Sequence, residues 1–247
     1  MSAIAGMTGI VMATLLLGAI ALLVVGVRAR RDGGSGAVVT TALIVAAGYA
    51  VLSAIGAIIA LLAVLLQNPV GITVPVQEFW PQLPAGAEVG GTTATRAGGG
   101  FSSADLLIAD LSLGARLCWA IALALGWLVP GAVAALIAVG CLRLRAGRPF
   151  APLLERMTML TAVVVLVGGL LAEVLGDIAG SMAAQEALAW TSAAWTGDLA
   201  DPSVLLPQPG FRIDVPLWPV GAGFGLAALA TVFRHGRQLQ RDSEGLV

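Results

Sequence analysis

From Ala37 to Leu66 the chain carries no charged side chain. A helix of that length exceeds the roughly 20 residues needed to cross a hydrocarbon core of ~30 Å. Within lipid, every backbone polar group of such a stretch must be satisfied inside the helix itself. Four other stretches share this character: Met7 to Val27, Leu117 to Leu142, Leu153 to Gly176 and Leu217 to Phe233. The last is short and starts behind Pro216, with Pro219 in its first turn. Of the 247 residues 58% are hydrophobic and 11% charged, against roughly 25% charged in a soluble domain, and mean hydropathy is +0.95. The sequence predicts an all-α integral membrane protein built as a five-helix transmembrane bundle in a single membrane domain.

Orientation follows from arginine. Arg28, Arg30 and Arg31 follow the first span; Arg143, Arg145, Arg148 and Arg156 lie between the third and fourth; Arg234, Arg237 and Arg241 follow the fifth. Five spans place all of these on one face and leave Arg96, Arg116 and Arg212 on the other. The positive-inside rule makes the arginine-rich face cytoplasmic, so the N-terminus is predicted outside and the C-terminal tail, residues 234–247, inside. Dropping any one of spans two to five would divide the clusters between the two faces. The first span has its arginines after it, unlike a cleaved signal peptide, and is read as a retained anchor. All 13 basic residues are Arg, which with the abundant Ala and Gly points to a GC-rich bacterial genome and a bacterial plasma (inner) membrane.

The outer face then receives residues 67–114 and 177–215. In the first, Ile72, Val74 and Val76 alternate with small or polar residues at strand period, and Gly90 to Gly100 reads as a turn or hairpin. In the second, Ser181 to Thr196, with Trp190 and Trp195, suggests a helix at the outer interface, and Phe211 to Val215 a further strand. Together these segments are expected to form a small extracytoplasmic cap with β content.

Glu173 and Asp177 stand one helical turn apart on the fourth span. About 32 Å of helix separates Arg156 from Asp177, which places Asp177 at the outer interface and Glu173 a turn inside it. An acid at that depth is a proton- or cation-responsive group, one member of a structural ion pair, or a hydrated interfacial acid, and Arg116, at the outer end of the third span, is the expected partner. Gly176 with Gly180, Gly221 with Gly225 and Gly223 with Ala227 have the small-residue spacing that lets membrane helices approach, within the chain or in a homo-oligomer. Pro130 and Gly131 predict a kink in the third span. Trp119 and Trp218 fall where an interfacial aromatic belt is expected.

The sequence argues against catalysis. His235, the sole histidine, follows the last span among arginines, and no Ser or Cys has an evident base partner. Cys118 and Cys141 lie about 34 Å apart along one predicted helix, too far to bond within it, and neither has a metal-ligand neighbour. No catalytic, cofactor or metal residues are assigned and no cofactor is expected. The net charge of -1 disfavours direct nucleic-acid binding. Transport is the alternative class: Tyr49, Ser53 and Glu173 are polar groups within the spans, but no internal repeat is evident.

Two segments of the predicted inner face carry a likeness to a known family. One is Arg145-Ala146-Gly147-Arg148-Pro149-Phe150, followed by Glu155-Arg156. The other is the tail from Phe233 to Val247, in which Arg237, Leu239, Asp242 and Glu244 fall in a Phe-Arg-x-Gly-x-x-Leu-Gln-x-Asp-x-Glu-x-Leu-Val pattern. The second half of the chain, from about Asp110, thereby resembles the bacterial membrane proteins grouped as domain of unknown function 2975 (DUF2975). The resemblance implies a membrane class without an assigned reaction and a partner among small helix-turn-helix regulators, with Gly147, Pro149, Phe150, Arg237, Leu239, Asp242 and Glu244 as the inner motif. Four spans are usual in that family, one fewer than predicted here. The same residues also have a plain reading, a Gly-terminated helix followed by a Pro-started one and a tail whose arginines meet lipid phosphates.

Overall fold

A computed structural model describes residues 35–81, 90–94, 96–147, 151–192 and 206–244. The expected span Met7 to Val27 and its arginines lie outside the described residues, as do Arg148, Pro149, Phe150 and Gly245 to Val247. In chain order the elements are α1 (Ser35–Leu66), β1 (Val70–Phe79), β2 (Phe101–Ile108), α2 (Leu113–Arg145), α3 (Pro152–Leu188) and α4 (Trp218–Glu244). The protein is mostly helical with one small two-stranded sheet. Helices α1, α2 and α3 are long and apolar enough to cross a membrane. Four helices are thus described where five spans are expected, and α4 is not one of the three apolar ones.

The described residues divide into two compact units. In the first, which takes in 35–61, 121–147, 151–173 and 215–244 of the described residues, helices meet where one of them has no side chain. A Cβ added to Gly131 of α2 would lie 2.6 Å from the Cβ of Ser53 on α1. One added to Gly223 of α4 would lie 2.8 Å from the Cβ of Leu166 and 3.2 Å from the Ala162 carbonyl oxygen. Van der Waals contact and hydrogen bonding carry helix association when lipid tails are as apolar as leucine, so close approach is the available source of contact area. α2 runs unbroken through Pro130. α3 widens into a single π-helical stretch at Val164–Gly168, beside Leu166 and Gly169, against which α4 packs through Gly223 and Pro219. Such wide turns insert an extra residue and re-aim the faces that follow.

α4 runs antiparallel to α3. Pro219 lies against Gly169 and Gly223 against Leu166, while Arg237 reaches Glu155. From Pro219 to Arg237 is about 27 Å of helix, close to the thickness of a hydrocarbon core. Of the small-residue pairs, Gly223 is used in this contact, whereas Gly221 and Gly225 face open space.

The second unit comprises Leu62–Ala120 and Val174–Asp214. The alternation at Ile72, Val74 and Val76 does make a strand: these residues and Val70 are buried, with Val74 at 0% exposure. β1 pairs antiparallel with β2 in the register Ile72↔Leu106 and Val74↔Ala104, and the Thr73 hydroxyl donates to its cross-strand partner Asp105 (2.6 Å). At the base, Asn68 and Asp110 exchange hydrogen bonds of 3.0 and 3.1 Å. Trp80 stacks on Phe101 with centroids 5.3 Å apart, and the Arg96 guanidinium lies 4.5 Å over the Trp80 ring.

Two expectations are corrected here. Ser181 to Leu188 is not a separate interfacial helix but the last turns of α3; Gly180, Ala179, Ala183 and Ala184 are buried, and a Cβ on Gly180 would lie 2.7 Å from the Thr73 carbonyl. A face of small side chains laid against a strand extends the helix past the membrane length. The expected strand at Phe211 to Val215 is unpaired; the chain instead bridges β1 just before it, at Val76↔Pro209, with Gly210 donating to the Pro75 carbonyl (3.0 Å).

Gly223→Val is expected to lower stability by about 1–3 kcal/mol through overpacking, whereas Gly225→Val should stay within about 0.5 kcal/mol. Unfolding in detergent checks this, and equal losses would contradict the packing described.

Candidate functional site

Two sets of side chains were singled out by sequence, one on the predicted inner face and one on the outer. For the inner set, α2 ends at Arg145 and is followed by a turn to Gly147, whose φ of +68° lies in the left-handed region that favours glycine. Its amide and that of Ala146 close the last turn on the carbonyls of Leu144 and Leu142 (both 3.1 Å), a common glycine-terminated C-cap. α3 then starts at Pro152, behind an extended Ala151, since proline's missing amide costs nothing at the first helical position. That start puts Glu155 in the first turn, where the positive end of the helix dipole favours a carboxylate.

On α4, Gly223, Ala230 and Arg237 follow at intervals of seven and share the face turned to α3; Gly223 and Ala230 are buried there. Arg237 therefore meets Glu155, with Nη1 3.1 Å from Oε2 and the two side chains 26% and 27% exposed. This pair joins the two segments of the inner motif, residues separated by most of the second half of the chain. Thr158, one turn on, is fully buried and donates to the Leu154 carbonyl (2.7 Å). His235 is exposed, with Nδ1 2.9 Å from the Thr231 carbonyl. Leu239, Asp242 and Glu244 lie in the last turns of α4, and their side chains are outside the described residues.

The outer set is distributed differently. Arg116 donates to the carbonyls of Gln67 (3.1 Å) and Leu65 (3.5 Å), a cation on the carbonyl end of α1, where helix-terminal oxygens lack intrahelical partners. Its Nε is buried and unpartnered among the described residues. Asp177 accepts the backbone amide of Asp214 (2.6 Å). Among the described residues no ion pair joins Arg116 to Asp177, and none involves Glu173, which is exposed. Arg116 therefore serves the end of α1, while Asp177 fixes the extended segment that leads to α4.

That segment contains the groups not anticipated from sequence. Ser181 exchanges hydrogen bonds of 3.4 Å with the backbone of Arg212, and Arg212 is ion-paired with Asp214. The Asp214 carboxylate, by hydrogen bond and then by charge, raises the Arg212 guanidinium above its ordinary value, so it stays protonated at any working pH. Elsewhere in the same unit Trp119 Nε1 donates to the Gly71 carbonyl (3.1 Å), and the Ser112 amide donates to Glu186 (2.9 Å). Cys118 and Cys141 are free thiols. Among the described residues no group of His, Cys, Asp and Glu is placed to hold a metal. The chain matches no protein-family model, no curated protein and no solved structure.

Because Arg116 and Asp177 have separate partners, Arg116→Met and Asp177→Ala should each destabilise, and their effects should add within about 0.5 kcal/mol. A double-mutant cycle showing coupling of ~1 kcal/mol or more would mean that the two side chains pair after all.

Proposed function

We propose that this chain is a non-enzymatic multi-pass protein of the bacterial plasma membrane, of the DUF2975 kind, whose inner end docks a small helix-turn-helix regulator and holds it at the membrane. The proposal includes the full topology: five spans, with the N-terminus outside and the C-terminus in the cytoplasm. Its support is the antiparallel course of α4 along α3, from Pro219 beside Gly169 to Arg237 beside Glu155. A helix packed along a membrane-crossing neighbour for about 27 Å needs less apolar surface of its own, because the neighbour covers one face.

The observation that carries the docking reading is the Arg237–Glu155 contact at 3.1 Å. It ties the start of α3, behind the Gly147 turn, to the final turns of α4, and so brings Glu155 of one segment beside Arg237 of the other. A half-buried pair of this sort adds little net stability. Its value lies in fixing the direction in which the end of α4 projects.

Crosslinking in the native membrane tests this directly. Full-length protein should capture a helix-turn-helix protein, and a variant lacking residues 237–247 should lose that capture while remaining membrane-embedded. Glu155→Arg or Arg237→Glu alone should weaken capture several-fold, and the two together should restore it. Unchanged capture by the truncated chain, or capture with no such regulator among the products, would overturn the reading.

A further inference from the structure

The Arg237–Glu155 contact leaves an imbalance around it. The same end of the first unit carries Arg143 and Arg145 in the last turn of α2, Arg156 directly after Glu155 on α3, and Arg234 one turn before Arg237 on α4. Glu155 is the one acid at this end whose side chain is described, and Arg237 occupies it. Among the described residues Arg143, Arg145, Arg156 and Arg234 make no ion pair. Arg145, Arg156 and Arg234 are exposed and Arg143 is partly so.

What lies beside these guanidiniums indicates what they meet. Leu142 and Leu144, interleaved with Arg143 and Arg145, are each 53% exposed, and Leu153 and Leu160 of α3 are 41% and 58% exposed. All four leucines belong to helices long and apolar enough to cross the membrane. A band of outward-facing leucine that passes within one turn into arginine is the profile of a helix leaving hydrocarbon for headgroups, with the long arginine stems reaching to the phosphate level.

We propose that this arginine collar is a binding surface for phospholipids of net negative charge, and that Glu155, by holding Arg237, sets how many guanidiniums the headgroups can use. The recognised chemistry is an anionic phosphate diester with its acyl chains lying against the adjacent leucines. Arginine supplies forked donors matched to phosphate oxygens, and each basic residue at the surface of an anionic leaflet contributes about fivefold to the partition. The collar does not depend on the regulator: lipid selectivity can fail with regulator capture intact, and the reverse.

The test uses the full chain reconstituted in vesicles of mixed phosphatidylcholine and phosphatidylglycerol, repurified in mild detergent, with the retained lipid identified by mass spectrometry. Phosphatidylglycerol should be enriched several-fold over phosphatidylcholine, less so at high salt. Combined Arg143→Gln, Arg145→Gln, Arg156→Gln and Arg234→Gln should abolish the enrichment. Glu155→Gln, which releases Arg237, should increase it, and this single variant decides the matter if the fourfold one fails to fold. Arg96→Gln with Arg212→Gln should leave it unchanged. Equal retention of both lipids by the wild type, no increase with Glu155→Gln, or loss with the Arg96 and Arg212 control would each overturn the proposal. So would full competition by dissolved inorganic phosphate, which would mean a free-anion site, or a photocrosslinker at Leu144 that reacts with protein in place of lipid.

Discussion

A helix in hydrocarbon has no water to satisfy its amides and gains no hydrophobic drive from touching another helix. Contacts must therefore come from backbones brought close enough for dispersion to add up, and two glycines of the first unit, Gly131 and Gly223, lie at such approaches. Gly131 receives Ser53 and Gly223 receives Leu166. The Ser53 hydroxyl is buried and without a hydrogen-bond partner among the described residues, a cost of about 1–3 kcal/mol for a hydroxyl held in an apolar contact. That the site tolerates it indicates how tightly α1 and α2 meet there. The same logic explains α4, whose covered face carries Gly223 and Ala230 while its outward face carries Phe224 and Val232, 67% and 59% exposed.

The second unit obeys a different rule. There polar side chains close the ends that helices and strands leave open. Arg116 takes carbonyls at the end of α1, Asn68 and Asp110 lock the base of the hairpin, and Asp177 holds an amide of the segment leading to α4. Groups that look like a candidate intramembrane charge set in sequence are, for Arg116 and Asp177, anchors for backbone. Depth alone did not distinguish a titrating acid from an acid that serves as a hydrogen-bond acceptor.

Much of the helical framework is legible in sequence, since uncharged runs such as Ala37 to Leu66 admit few alternatives, and the strand of Val70–Phe79 is readable from its alternation. β2 is not, because Ser102, Ser103, Ala104 and Asp105 lack apolar alternation and the glycines before them dominate the local signal. The extension of α3 to Leu188 was hidden for a related reason: alanines with Trp190 suggest an interfacial helix, and only the strand lying on Gly180 shows why the helix continues. The π stretch at Val164–Gly168 has no sequence signature, being plain apolar sequence. Glu155 and Arg237 were both visible within the inner motif, but their contact was not, because pairing between distant helices leaves no periodic trace.

The least apolar of the described helices bears the most weight, since the proposed topology requires α4 to cross beside α3. Labelling of single cysteines with a membrane-impermeant maleimide examines that crossing most directly, at Ser103→Cys and Gln238→Cys in a Cys118→Ser, Cys141→Ser background. With three crossings between these positions, intact cells should label only the cysteine at position 103, and the one at position 238 should react only after the membrane is permeabilised. Labelling of both on intact cells would leave α4 outside the bilayer and contradict the topology on which the inner docking surface depends.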